Sequence, residues 1–168
     1  MKKGNIILLN GVSSSGKTTV AKALLNKLPD YFHYSLDSFD LVIEQMEDRD
    51  NNRLIPVATE YYFHRTIAMF ADTGVNLIVD HVIHDAFTRE DWQKSLSGYP
   101  VMSVGVFCPL DELERREKER GDRRIGQAKE QLEFVHMEEV YDLKVDTFRD
   151  GLEGCVEKIL QQMQAELE

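Results

Sequence analysis

Gly11-Val-Ser-Ser-Ser-Gly16-Lys17-Thr18 fits the spacing G-x-x-x-x-G-K-[ST] without a substitution. That spacing is suited to holding a polyphosphate. The backbone N–H groups of Val12, Ser13, Ser14 and Ser15 converge in a tight turn, where Gly11 and Gly16 permit dihedrals and approaches that a Cβ would block. Lys17 is placed to reach the β- and γ-phosphates, and the Thr18 hydroxyl to ligate Mg²⁺. Thr19 extends the first turn of a helix whose unpaired N–H groups and positive dipole end face the anion. The motif predicts a nucleoside-triphosphate site spanning Gly11–Thr19, with Mg²⁺ held beside the phosphates.

Three further groups belong with it. Asp37 follows an apolar run in Ser35-Leu-Asp-Ser-Phe39, and Asp80 ends Leu77-Ile-Val-Asp80. Both fall at carboxyl ends of predicted strands, where open α/β sheets bind their ligands. One carboxylate is expected to act through Mg²⁺ or its water and the other to take a proton from an acceptor hydroxyl. The third group is Arg115-Arg-Glu-Lys-Glu-Arg120-Gly-Asp-Arg123-Arg124, which carries a net +3 in a chain of net charge −10. It reads as a lid, over about residues 115–131, whose guanidiniums close on transferring phosphates with Gly121 as hinge. Arg116 or Arg115 is expected near the adenine, and Glu117 and Glu119 in ion pairs on an exposed helix face.

Two other patterns fail. Asp48-Arg-Asp-Asn-Asn-Arg53 begins like a calcium loop, but Arg53 stands at the required glycine and Thr59 at the required glutamate. His81 and His84 beside Asp80 and Asp85 have no second ligand group at zinc spacing, so they read as pocket lining or exposed.

These groups need a scaffold, and strand-like runs alternating with helical patterns supply one. Strands are predicted at Asn5–Asn10, Tyr31–Leu36, Asn76–Asp80, Val101–Cys108 and Lys144–Thr147. Helices are predicted at Lys17–Lys27, Val57–Thr73, Phe87–Leu96, Asp111–Arg120 and Leu152–Glu166. The last shows one apolar stripe of Leu152, Val156, Ile159, Leu160, Met163 and Leu167. A length of 168 residues points to one domain, and 42% hydrophobic with 30% charged residues is ordinary for a globular chain. The acidic balance argues against nucleic-acid and anionic-membrane surfaces, and no run approaches a membrane span. Lys2 and Lys3 precede an apolar run that leads straight into the phosphate loop, so it does not read as a cleaved leader. Cys108 and Cys155 lack any pairing pattern and read as reduced thiols, with cytoplasm as the expected compartment.

The chain resembles the chloramphenicol phosphotransferase family of small P-loop kinases. The matching stretches are Leu9–Thr18, Leu36-Asp-Ser-Phe39, Ile78-Val-Asp80 and Val104-Gly-Val106. The match continues through Arg120-Gly-Asp-Arg123, Gly126, Ala128, Gln131, Val135-His136, Tyr141-Asp142 and Val145-Asp-Thr147. The resemblance implies a three-layer α/β fold with a five-stranded parallel sheet, like that of shikimate and nucleoside-monophosphate kinases, and an arginine-rich lid. It also implies ATP–Mg²⁺ as donor and a hydroxyl of a small molecule as acceptor, an antibiotic such as chloramphenicol among the candidates. The family's base falls on Asp37 and its lid arginines on Arg120 and Arg123. After Asp80 stands a histidine, where the family's antibiotic kinase has a second aspartate.

The leading expectation is thus an ATP-dependent O-phosphotransferase. A nucleoside, nucleotide or metabolite kinase is the nearest rival, and a nucleotide-operated binding module represents a different class. Residues 38–75 carry a net −4, which disfavours a phosphorylated acceptor on Coulombic grounds. Phe39, Met46, Tyr61, Tyr62 and Phe63 are expected to wall the pocket of an uncharged or cationic alcohol. The sequence leaves the oligomeric state open.

Overall fold

Ile6–Asn10 (β1) is apolar through Leu9 and buried at all five positions, as a central parallel strand covered on both faces must be. In the computed structural model, which describes residues 2–165, it pairs in parallel with Asn76–His81 (β3) and Val101–Phe107 (β4). Tyr31–Ser35 (β2) and Leu143–Asp146 (β5) form the two edges, giving a five-stranded sheet in the order β2-β3-β1-β4-β5.

Alternation along the strands builds two cores. Ile7, Leu9, Ile78, Met102, Val104 and Val106 pack under Lys17–Leu25 (α1) and Gly151–Ala165 (α7). Ile6, Leu8, Leu77 and Val79 face the other way, onto Thr59–Asp72 (α3) and Ala86–Leu96 (α4). The result is the three-layer α/β architecture expected from the sequence.

Some boundaries differ. The second strand stops at Ser35, because the Ser35 hydroxyl accepts the Ser38 N–H and caps a helix that the sequence reading missed, Leu36–Met46 (α2). A short helix at Gln127–Leu132 was missed as well. With Leu110–Arg120 (α5) before it, this is α6. In α7, Val156 and Ile159 are buried as expected, but Leu152 is 41% exposed and turned toward the site cavity. Leu167 and the predicted end at Glu166 lie outside the described residues.

Glu117 corrects another expectation. It is fully buried rather than ion-paired on an exposed face, and its carboxylate accepts the N–H groups of Gly126 (2.9 Å) and Ala128 (2.7 Å). The first turn of α6 has no side-chain cap of its own, so a residue of α5 serves it. Leu113 and Ala128 pack with Val12 and Val135 beneath. Glu117→Ala leaves two N–H groups without their acceptor and should cost roughly 2–3 kcal/mol, with Glu117→Gln costing less. Urea unfolding checks this, and equal midpoints for wild type and Glu117→Ala would refute it.

Candidate active site

The phosphate loop joins the carboxyl end of β1 to α1. A Cβ on Gly11 would sit 2.5 Å from the Val106 carbonyl oxygen, and Gly16 holds φ 98°, so both glycines are required by the backbone. Asn10 fixes the entry to the turn. Its Nδ2 donates to the Val135 carbonyl and the Tyr141 hydroxyl, and its Oδ1 accepts the Ile83 N–H at 2.9 Å. Gln131 of α6 reaches back to accept the Ser13 N–H at 2.6 Å. Sequence reading did not single out Asn10 for this role, although its place at the last residue of a buried strand was the available signal.

Above the loop lies a cavity of about 940 Å³. Ser13, Ser14, Gly16, Lys17, Thr18, Thr19, Asp37, Asp80, Arg116, Arg120 and Arg123 all line it. Gly11, Val12 and Ser15 stand behind that surface, Val12 and Ser15 almost wholly buried. The Lys17 ammonium donates to the Val12 carbonyl at 2.9 Å. Burial lowers its pKa, against the pull of Asp80 and Asp37. The Thr18 hydroxyl donates to Asp80 Oδ2 at 2.5 Å. Burial raises the Asp80 carboxyl, but His33, Lys17 and Thr18 outweigh it and hold the group below the usual carboxylate range.

Asp37 lies in the first turn of α2, two-thirds exposed, and is ion-paired with Arg123 from the loop between α5 and α6. Arg120 pairs with Asp122. Arg116 is bound to Glu112, to the Thr147 hydroxyl and to the carbonyls of Ser14 and Ser15, while Arg115 is held outside the cavity by Glu112 and Glu119.

The expected aromatic wall is absent. None of Phe39, Met46, Tyr61, Tyr62 and Phe63 lines the cavity. Phe63 is fully buried and Phe39 packs with it and Tyr34 beneath the sheet, whereas Met46 faces outward. Three of the segment's carboxylates, Asp40, Glu44 and Glu47, gather on Arg49 and do not line the cavity. Residues 48–53 form a tight turn closed by Asp48 and Arg53. The cavity beyond Lys17 is instead walled by His33, Ser35, Leu36, Asp37, Ser38, Val82 and His84. His81 joins them through a fixed string: the Val82 N–H donates to His81 Nδ1, so His81 Nε2–H donates to His64 Nε2, and His64 Nδ1–H to Asp91. Arg65 closes the string on Asp91. With both ring nitrogens engaged, His81 is no metal ligand, and the described residues hold no cluster of His, Cys, Asp and Glu that suits one.

The family described as chloramphenicol phosphotransferase-like protein matches residues 4–164. The chain belongs to that family. A Mycobacterium tuberculosis relative named "Putative O-phosphotransferase" is 30% identical, covering 98% of this chain and 84% of its own. The adenylyl-sulfate kinase of Clostridium acetobutylicum is 29% identical over 95% of this chain and 83% of its own. Among solved structures, the Mycobacterium tuberculosis APS kinase in complex with AMPPNP and APS superposes with a TM-score of 0.70 at 18% identity, covering 98% of this chain and 99% of that one. Membership of the chloramphenicol phosphotransferase-like family and this likeness establish a P-loop kinase fold, and a phosphotransferase acting on a small molecule. No described helix is long and apolar enough to cross a membrane.

Proposed function

We propose that the protein transfers the γ-phosphoryl group of ATP to a hydroxyl of a small molecule. The observation that carries this reading is the shared cavity, where a phosphate loop, the Thr18–Asp80 pair, Asp37 and two lid arginines converge. Ser14 Oγ and Arg123 Nε are buried without a partner and belong to residues lining that cavity, as groups meant for phosphate oxygens would be. Thr18 and Asp80 fit a hydrated Mg²⁺, which supplies charge neutralisation when bound. The acceptor oxygen forms a bond to the γ-phosphorus while the bond to the β,γ-bridging oxygen breaks and ADP keeps the electron pair. Asp37 takes the hydroxyl proton, Lys17 steadies the charge on the phosphates, and Arg120 and Arg123 clamp the group in flight. The moving part of the lid is residues 121–125, between Gly121 and Gly126 at positive φ, because Glu117 anchors Gly126 and Ala128; Arg120 stands beside it at the end of α5.

Arg123→Lys should be markedly impaired in transfer, since lysine keeps the charge and loses the planar fork. Steady-state rates equal to wild type would reduce the clamp to a general positive field. The acceptor is sought by measuring ADP release over hydroxylated metabolites and antibiotics, chloramphenicol included. The reading expects Lys17-dependent turnover with at least one. Slow ATP hydrolysis unmoved by every alcohol, with nucleotide-dependent capture of a protein, would overturn it in favour of a binding module. Adenylyl sulfate and nucleoside monophosphates belong in the screen, because Arg120 and Arg123 line the same cavity and suit an anionic acceptor.

A further inference from the structure

His33 lies two residues before the end of β2, in register with Ile78 while Ser35 faces Asp80. Side chains alternate along a strand, so His33, Ser35, Ile78 and Asp80 share the sheet face that α1 covers. Tyr34 points the other way, against Phe63 and Phe70. The ring of His33 is mostly buried, lines the cavity with Thr18 and Asp80, and brings Nε2 to 3.7 Å from Asp80 Oδ2. That separation is too long for a hydrogen bond, and Nε2 is buried with no partner. A buried polar nitrogen left unpaired is costly, and a water lying beside the two atoms, on the cavity side, is within hydrogen-bond reach of both.

We infer that His33 is a positioning residue for the divalent ion: its Nε2 holds a water of the ion's hydration shell against Asp80 Oδ2, the oxygen that also accepts from Thr18. The inference rests on the kinase reading above and adds to it a partner that the phosphate-loop motif does not contain. It follows from chemistry as well as from position. A hydrated magnesium or manganese ion meets its carboxylate through water, and an imidazole beside that carboxylate fixes where the water sits. Outer-shell partners of this kind typically change metal affinity by about 10- to 100-fold.

Manganese binding measured by electron paramagnetic resonance tests this without turnover. Wild type, His33→Leu and His33→Gln are each titrated with Mn²⁺ in the presence of a non-hydrolysable ATP analogue. Nucleotide affinity in EDTA and thermal unfolding are measured alongside. The expected result is a 10- to 100-fold weaker Mn²⁺ affinity in His33→Leu, with metal-free nucleotide affinity unchanged. His33→Gln, whose amide reaches the same place, should return to within about threefold of wild type. Equal Mn²⁺ affinity in all three proteins overturns the role of His33 and leaves the kinase reading standing. If His33→Leu does not fold, His33→Ala takes its place, and a folded His33→Ala protein with wild-type Mn²⁺ affinity overturns the role. A wild-type protein that binds the analogue no better with Mn²⁺ than with EDTA overturns the reading of the site itself.

Discussion

Lys17→Ala should lower phosphoryl transfer by about 10²-fold or more, the scale of removing one preorganised electrostatic contact. The side chain is nearly buried and fixed on the Val12 carbonyl, so the ammonium is placed before any phosphate arrives and needs little reorganisation. Burial weakens its hold on the proton while Asp80 and Asp37 strengthen it, which makes a bound polyanion a strong stabiliser of the charged form. Single-turnover rates with saturating ATP check the expectation. Near wild-type turnover in Lys17→Ala would mean that the loop is not the working site.

Asp37→Asn should lower kcat by roughly 10²-fold while ATP affinity holds. Phosphoryl transfer is largely dissociative, so part of that loss belongs to positioning of the acceptor rather than to proton removal. The geometry separates the two carboxylates. Asp80 is buried on the Thr18 hydroxyl beside the phosphate loop, and Asp37 stands at the start of α2, facing Arg123. Kinetics over a range of Mg²⁺ decide between the roles. If ATP affinity collapses and added Mg²⁺ restores activity, Asp37 serves the metal and the base must be sought elsewhere, with Asp80 next.

The phosphate loop was legible because its function dictates its sequence: two glycines, a lysine and a threonine cannot be moved without losing the turn. The sheet was legible because central parallel strands such as Ile6–Asn10, apolar through Leu9, are covered on both faces and read as continuous hydrophobic runs. What the sequence hid depends on tertiary contacts. The α2 helix follows its strand with no gap, and only the Ser35 cap and the spacing of Leu36, Phe39 and Ile43 mark the change. Glu117 sits in a highly charged run and looks like its neighbours; its burial follows from α6 packing against it. Aromatic residues in residues 39–63 suggested a ligand wall because composition reports how apolar a segment is, not which way it faces. Phe63 faces the sheet.

The string from Val82 through His81 and His64 has a direction, each N–H meeting one acceptor in turn until it ends on Asp91, which also accepts from Arg65. That direction governs how this wall of the cavity is able to evolve. Replacing His64 alone strands the His81 N–H, and replacing His81 alone strands a ring nitrogen of His64, each at a cost of about 1–3 kcal/mol. Exchanging both for apolar side chains of matching shape removes the donor with its acceptor and is far milder, although Asp91 then depends on Arg65 alone. A substitution lining the cavity at position 81 is therefore tolerated best together with a second one at the fully buried position 64.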